Sequence, residues 1–202
     1  MAVFGSFVGF SEKKNNNKIF KTFNPRKNSY NQEIYSIASD KDVQNALELA
    51  SNYYESAYPP GDADRVLFFN FLIKFLKEDK QKLKNSYCKE TGLSQKRFTT
   101  EFNRTINTIN EFKKLIDSPS WEEISSNIDL STNTSIKKHR IALGPVLVFG
   151  ASNFALAYST AGGDTIAAMA SGCPVIIKSH PFHAGTSYLV AQAIIKANKI
   201  SK

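Results

Sequence analysis

The sequence is poor in the residues that staple or metallate small folds. Its two cysteines, Cys88 and Cys173, make neither a disulfide framework nor a metal-ligand set. The N-terminus lacks the basic segment and following apolar core of a secretion signal. A dense basic run with interleaved aromatics is also missing. The net charge of +8, from 26 basic and 18 acidic residues, lies largely in scattered lysines such as Lys74, Lys77, Lys80, Lys82, Lys84 and Lys89. That dispersion describes a solvated basic surface suited to an anionic substrate or a phosphorylated cofactor, and it argues against nucleic acid as a partner. Ile141 to Gly163 carries no charge and is long enough for a membrane span, yet Gly144, Pro145, Gly150, Ser152, Asn153 and Thr160 interrupt it. Backbone left unpaired in lipid is costly, so no membrane partner is expected and the chain reads as cytoplasmic.

What is present is core material: 42% of the residues are hydrophobic and 15 are Phe, enough for one well-filled domain or a small two-part architecture. Residues 1–38 alternate apolar and polar positions around Asn-Pro and Asn-rich turns, which predicts an N-terminal arm of short strands or hairpins. Residues 39–135 predict a helical layer and a connector. Ser39 and Asp42 form a capping box ahead of Val43, Ala46, Leu47, Ala50, Tyr54 and Ala57, which recur at helical spacing until Pro59-Pro60-Gly61. Asp62 is expected to cap the next helix, with its stripe of Val66, Phe69, Ile73 and Leu76. Leu83 to Thr91 ends at Gly92, a natural left-handed terminator, and Ser94 opens a longer helix with Phe98, Phe102, Thr105, Ile109, Phe112 and Ile116 on one face before Pro119. Glu90 and Glu101 are read as exposed helix glutamates rather than an acid/base pair, since no nucleophile accompanies them. The polar stretch 117–135, with Trp121, is a connector, and Lys137 to Leu143 is expected to add a strand.

The third part, residues 136–202, reads as strand, helix, strand, helix. Val146 to Phe149 is a continuous apolar run between Pro145 and Gly150, a pattern expected of a strand covered on both faces in a parallel sheet. The glycine turn that follows carries Ser152 and Asn153, and a helix is expected from Ala155 to Ser171, interrupted at Gly162-Gly163 and recapped by Asp164. In α/β folds such a turn offers unpaired N–H groups to anionic or polar ligands. Pro174 to Ile177 forms the second strand, Lys178 follows it, and Thr186 to Ala197 forms the last helix. From pattern alone Asn153 is either a helix-capping turn residue or a donor able to polarise a carbonyl oxygen, and Lys178 is either a solvated strand-end lysine or a ligand contact.

Gly144 to Ser187, GPVLVFGASNFALAYSTAGGDTIAAMASGCPVIIKSHPFHAGTS, resembles the cofactor-binding entry of the aldehyde dehydrogenase superfamily. The Phe-Gly-Ala-Ser-Asn-Phe version is similar to the branch of ketoglutarate semialdehyde (2,5-dioxovalerate) dehydrogenases and NADP-preferring fatty aldehyde dehydrogenases. Ile19 to Pro25, Glu90 to Leu93 and Glu101 with Arg104-Thr105 also resemble that branch. The resemblance implies an α/β fold, in which an N-terminal arm and helical layer lead into the first half of a Rossmann-type parallel sheet. It also implies oxidation of a small aldehyde to a carboxylate with NADP or NAD, no metal, and a homo-oligomer in the full-length family.

That chemistry needs a nucleophile, an oxyanion donor pair, a dinucleotide and a base. By resemblance Asn153 is the oxyanion-hole asparagine, Phe149, Gly150, Ala151 and Ser152 line the cofactor, and Lys178, Ser179 and His180 approach the adenosine ribose. Many NAD-preferring relatives carry a glutamate where this chain has Pro181, so NADP is the favoured cofactor. Ala155 replaces the usual Pro after Asn-Phe. Cys173, in Ser-Gly-Cys-Pro, is expected to be a buried structural thiol, and Cys88 a helix-packing residue. The family's nucleophilic cysteine and general-base glutamate are expected beyond Lys202, so the chain is expected to be inactive alone. The alternative is a non-catalytic relative that binds a nucleotide or a partner.

Overall fold

The computed structural model describes residues 2–56, 61–118, 125–129 and 134–201, with 125–129 described by their backbone. The N-terminal arm consists of β1 (Val3–Phe4), β2 (Ser6–Val8), β3 (Ser11–Lys13), β4 (Ile19–Phe20), β5 (Phe23–Asn24), β6 (Ser29–Tyr30) and β7 (Ile34–Ser36). β2 pairs antiparallel with β3, and β5 with β6. β7 is the middle strand of a three-stranded sheet, parallel to β1 and antiparallel to β4. Phe4 and Phe20 both pack on Tyr35, and Phe4 and Phe7 reach Tyr188 near the C-terminus. The arm is thereby joined to the rest of the chain by aromatic contacts.

The helices are α1 (Asp40–Ser56), α2 (Asp62–Glu78), α3 (Lys80–Thr91) and α4 (Gln95–Ile116). The Ser39–Asp42 box forms: Asp42 Oδ2 accepts from Ser39 N at 3.0 Å, and Ser39 Oγ accepts from Asp42 N at 3.2 Å. Ser94 Oγ accepts from Arg97 N, and Gly92 ends α3 at φ 70°. Asp62 does not cap α2. It is the first helical residue, behind Gly61, and its carboxylate turns to the Arg65 guanidinium instead. Phe69, Leu72, Ile73 and Leu76 of α2 meet Leu83 and Tyr87 of α3 and Phe98, Phe102 and Ile109 of α4 in one core. The stripe on α1 is mostly uncovered. Ala50 is buried, but Val43 is 50% and Leu47 45% exposed; α1 packs mainly against β2 and the second strand of the C-terminal pair. Pro59 and Pro60 lie outside the described residues, as do Pro119 and Trp121.

Two further strands, β8 (Ser125–Asp129) and β9 (Thr134–Lys138), pair antiparallel, β8 inside the stretch read as a connector and β9 across its end. The strand expected over Lys137 to Leu143 is therefore placed earlier, and 139–145 is irregular. Then come β10 (Val146–Phe149), α5 (Gly163–Ala170), β11 (Val175–Lys178), a 3-10 turn at Pro181–His183 and α6 (Ala184–Ile200). β10 and β11 are parallel, with Val146 opposite Val175 and Phe149 opposite Lys178. The helix expected from Ala155 is absent in its first half: residues 155–162 form successive turns, and α5 starts only at Gly163, behind Gly162. β10 is covered on one face, not two. Val148 is 6% exposed, whereas Leu147 is 54% and Phe149 67% exposed. α5 covers the first face, and nothing among the described residues covers the second.

Candidate functional site at the carboxyl ends of β10 and β11

Two parallel strands ending level with each other create a ledge. Gly150 N donates to Lys178 O at 3.0 Å, which extends the pairing by one residue, and Ala151 N donates to Tyr158 O at 2.9 Å. Position 150 is tight for a side chain: a Cβ would meet Ser159 Oγ at 2.9 Å and His180 N at 3.3 Å. A side chain at 150 would require Ser159 to shift, and the turn leaves Ser152 and Asn153 exposed. No hydrogen bond among the described residues engages the Asn153 side chain, so its amide is available to a ligand.

Lys178 is exposed at the end of β11, and Ser179 and His180 are half-buried behind it. His180 Nδ1 accepts from Phe182 N at 3.3 Å, which places the neutral ring's proton on Nε2. Burial, reinforced by His183 and Lys178, holds the His180 pKa below its ordinary value of 6.5. At neutral pH the positive charge of the ledge therefore belongs to Lys178. The structure brings Phe149, Gly150, Ala151, Ser152, Asn153, Lys178, Ser179 and His180 to one end of the sheet. Neither of two surface concavities, one on α4 around Arg104 and one between Leu143 and Cys173, is lined by Asn153, Lys178 or His180.

The turn's N–H groups are not all open to a ligand, contrary to expectation. Leu156 N and Ala157 N donate to Glu101 Oε2 at 3.2 and 3.5 Å. On its other oxygen Glu101 accepts from Tyr87 Oη at 2.6 Å and from Arg97 Nε at 3.0 Å. Glu90 does the same at the start of α6, accepting from Gly185 N at 2.7 Å and from Thr186 N at 2.8 Å and its hydroxyl at 2.7 Å. Both carboxylates are buried, at 2% and 4% exposure, which corrects their reading as exposed glutamates. A third brace is His183, fully buried, whose Nε2 lies 2.9 Å from Ala151 O and whose Nδ1 lies 3.2 Å from Ser187 Oγ. Nε2–H must donate to the carbonyl, so Nδ1 accepts from the serine in the neutral ring.

Glu101 could have been found from the sequence. It falls three residues after Phe98 and four before Thr105, on the apolar face of α4, as Glu90 follows Leu83 and Tyr87 on α3. Cys173 is buried, and Cys88 is half-buried with its thiol pKa raised by burial, so neither has the character of an activated nucleophile. Among the described residues no group of three metal-ligating side chains forms, and no helix is long and apolar enough to cross a membrane.

Comparison with known proteins gives the family. The aldehyde dehydrogenase family pattern matches residues 10–199. The alpha-ketoglutaric semialdehyde dehydrogenase 2 of Azospirillum brasilense is 34% identical over 182 residues, covering 86% of this chain and 34% of that protein. The alpha-ketoglutaric semialdehyde dehydrogenase of Acinetobacter baylyi is also 34% identical, over 81% of this chain and 32% of its own length. The chain thus spans about a third of the curated relatives it matches. Aldehyde dehydrogenase 21 of Physcomitrella patens, solved with the product succinate, superposes with a TM-score of 0.86 at 18% identity over 98% of this chain and 40% of its own. An aldehyde dehydrogenase of Mycobacterium tuberculosis complexed with NAD+ superposes at 0.85 and 18% identity, over 96% and 40%. With its pattern matched over nearly the whole length and its fold shared with solved members, the chain belongs to the aldehyde dehydrogenase family.

Proposed function

We propose that the ledge formed by β10 and β11 is the oxyanion and adenosine side of an NAD(P)-dependent aldehyde dehydrogenase. The observation that carries this reading is the exposed Asn153, whose side chain has no hydrogen bond among the described residues, in the turn that follows β10 beside the β11 end bearing exposed Lys178. In this reading the Asn153 amide donates to the carbonyl oxygen of an aldehyde, where negative charge develops as a thiol adds. Lys178 holds the adenosine ribose, with Phe149, Gly150, Ala151, Ser152, Ser179 and His180 lining the cofactor. The dinucleotide, when bound, supplies the hydride acceptor. The residues present fit such a group: a cation stands at the ledge, the turn carries no side chain at Gly150, and residues 178–183 contain no acid to repel a 2′-phosphate.

The substrate we favour is ketoglutarate semialdehyde (2,5-dioxovalerate), because both curated relatives named above carry that activity in their names. NADP is the favoured cofactor, with the contribution to phosphate binding coming from Lys178 rather than from a charged His180. The thiol and the base are supplied by polypeptide outside these 202 residues, since Cys88 and Cys173 are unsuited. The chain alone is then inactive. We keep the division at 1–38, 39–135 and 136–202, a cytoplasmic location and a homo-oligomer as parts of the same reading. In the smallest active polypeptide containing this chain, Asn153→Ala should lower kcat by about 10²–10³ while KM changes little. An unchanged kcat would refute the oxyanion role. A strong preference for NAD over NADP would refute the cofactor assignment.

A further inference from the structure

We infer that Glu101 is a positioning residue whose buried carboxylate sets the conformation of the turn bearing Asn153. The inference rests on the reading of that turn as an oxyanion site. Glu101 is separated from the turn by more than 50 residues of sequence, and nothing in the chemistry of aldehyde oxidation calls for a carboxylate there. Its placement is nevertheless costly enough to require a reason, because a charge taken out of water must be fully hydrogen-bonded. Its bonds divide by oxygen. Oε1 is held by α3 and α4 through Tyr87 Oη and Arg97 Nε, and Oε2 is offered to Leu156 N and Ala157 N. Burial, followed by the bond to Glu101, pushes the Tyr87 pKa far up, which keeps the phenol a donor.

The turn is thus tied on its C-terminal side to the rigid helical layer. On its N-terminal side His183 holds the Ala151 carbonyl. Asn153 lies between the two ties and has no tie of its own. Arg97 completes the arrangement, since its guanidinium carbon lies 4.4 Å from the Phe154 ring centre while its Nε serves Glu101. One side chain therefore contacts both the carboxylate and the immediate neighbour of Asn153. Phe154 in turn packs edge-on against Tyr158, at 5.1 Å between ring centres. The absence of helix over 155–162 makes this support necessary: without a helical ladder, the Leu156 and Ala157 N–H groups have no backbone acceptor to order them.

The test is amide hydrogen exchange and side-chain amide NMR on the ¹⁵N-labelled chain, its Glu101→Ala variant and its Glu101→Gln variant. The glutamine keeps one acceptor oxygen for the turn when its NH2 faces Tyr87 Oη, which as a hydroxyl can accept. Its Leu156 and Ala157 amides should therefore stay closer to the parent than those of the alanine variant. In Glu101→Ala the Leu156 and Ala157 amides should exchange at least about tenfold faster, while core amides such as Ile109 and Val190 keep their rates. The Asn153 side-chain amide signals should broaden or average in the same variant. Equal protection of Leu156 and Ala157 in all three proteins would overturn the inference. So would a loss shared with the core amides in the glutamine variant, which would make Glu101 a general stability residue. A parallel titration of the parent with NADP+ separates the two readings. If NADP+ leaves every signal unmoved while the alanine variant frees the turn, the positioning role stands and the cofactor assignment falls.

Discussion

His180 sits partly buried behind β11, with Lys178 at the same end of the sheet. Burial is the larger influence, and with His183 and Lys178 it keeps the ring neutral below the ordinary pKa of 6.5. A histidine with a lowered folded pKa binds its proton more readily in the unfolded chain. Its contribution to stability is then fully present above about pH 6.5 and is lost as pH falls toward the folded pKa. NMR titration of the ring should give a midpoint below 6.5, and urea midpoints should fall over the same interval. NADP+ affinity should rise there, as the ring gains charge opposite the 2′-phosphate. For Lys178→Ala we expect about a tenfold weaker NADP+ affinity, the worth of one exposed charge-assisted bond. Glu90→Ala should cost about 2–4 kcal/mol by urea unfolding, since it strands the Gly185 and Thr186 N–H groups. At this scale the exposed candidate residues stand out in the sequence, because Lys178 closes one apolar run and Asn153 lies in the glycine turn after another. The burial of Glu90 and Glu101 could be read from their place on apolar helix faces, but the partners of the braces could not, because each pairs with groups distant in sequence: Glu90 with Gly185, Glu101 with Leu156 and His183 with Ala151.

Among the elements, legibility followed locality. The capping box at Ser39, the serine cap of α4 and the glycine end of α3 are encoded within a few residues, and all three form. The turns over 155–162 escaped because the small residues there suit a helix as well as a turn. Tertiary bonds decide between them, notably Gly163 N to Ala157 O at 3.2 Å and Glu101 to the turn. The apolar run of β10 could not reveal that one face lies open, since periodicity reports which residues shun water and not what covers them. The two faces of β10 make contrasting predictions. Val148→Ala should cost about 2 kcal/mol, the loss of buried methyl groups and the cavity left behind. Leu147→Ala should change stability by less than about 0.5 kcal/mol, as at other exposed positions. Paired chemical denaturation curves would decide the matter, and equal costs would mean that the outer face is covered in solution.

Over the whole molecule, a well-filled helical core supports a sheet of two strands whose outer surface shows Leu147 and Phe149, with Leu143 alongside at 92% exposure. Such a surface and its open strand edge favour association. Sedimentation of the chain should show mass increasing with concentration, and Leu147→Ser with Phe149→Ser should reduce it. The core and the ledge depend on each other through Glu90, Glu101 and His183, so the same contacts that hold the helices in place also aim the site. The proposed function requires that ledge to receive a nicotinamide dinucleotide. Its most direct test is an NMR titration of the ¹⁵N-labelled chain with NADP+, mapped by residue. The account predicts shifts concentrated at Gly150, Ser152, Asn153, Lys178 and His180, larger with NADP+ than with NAD+. Shifts confined to the outer face of α4 or to the arm, or none at saturating nucleotide, would contradict it.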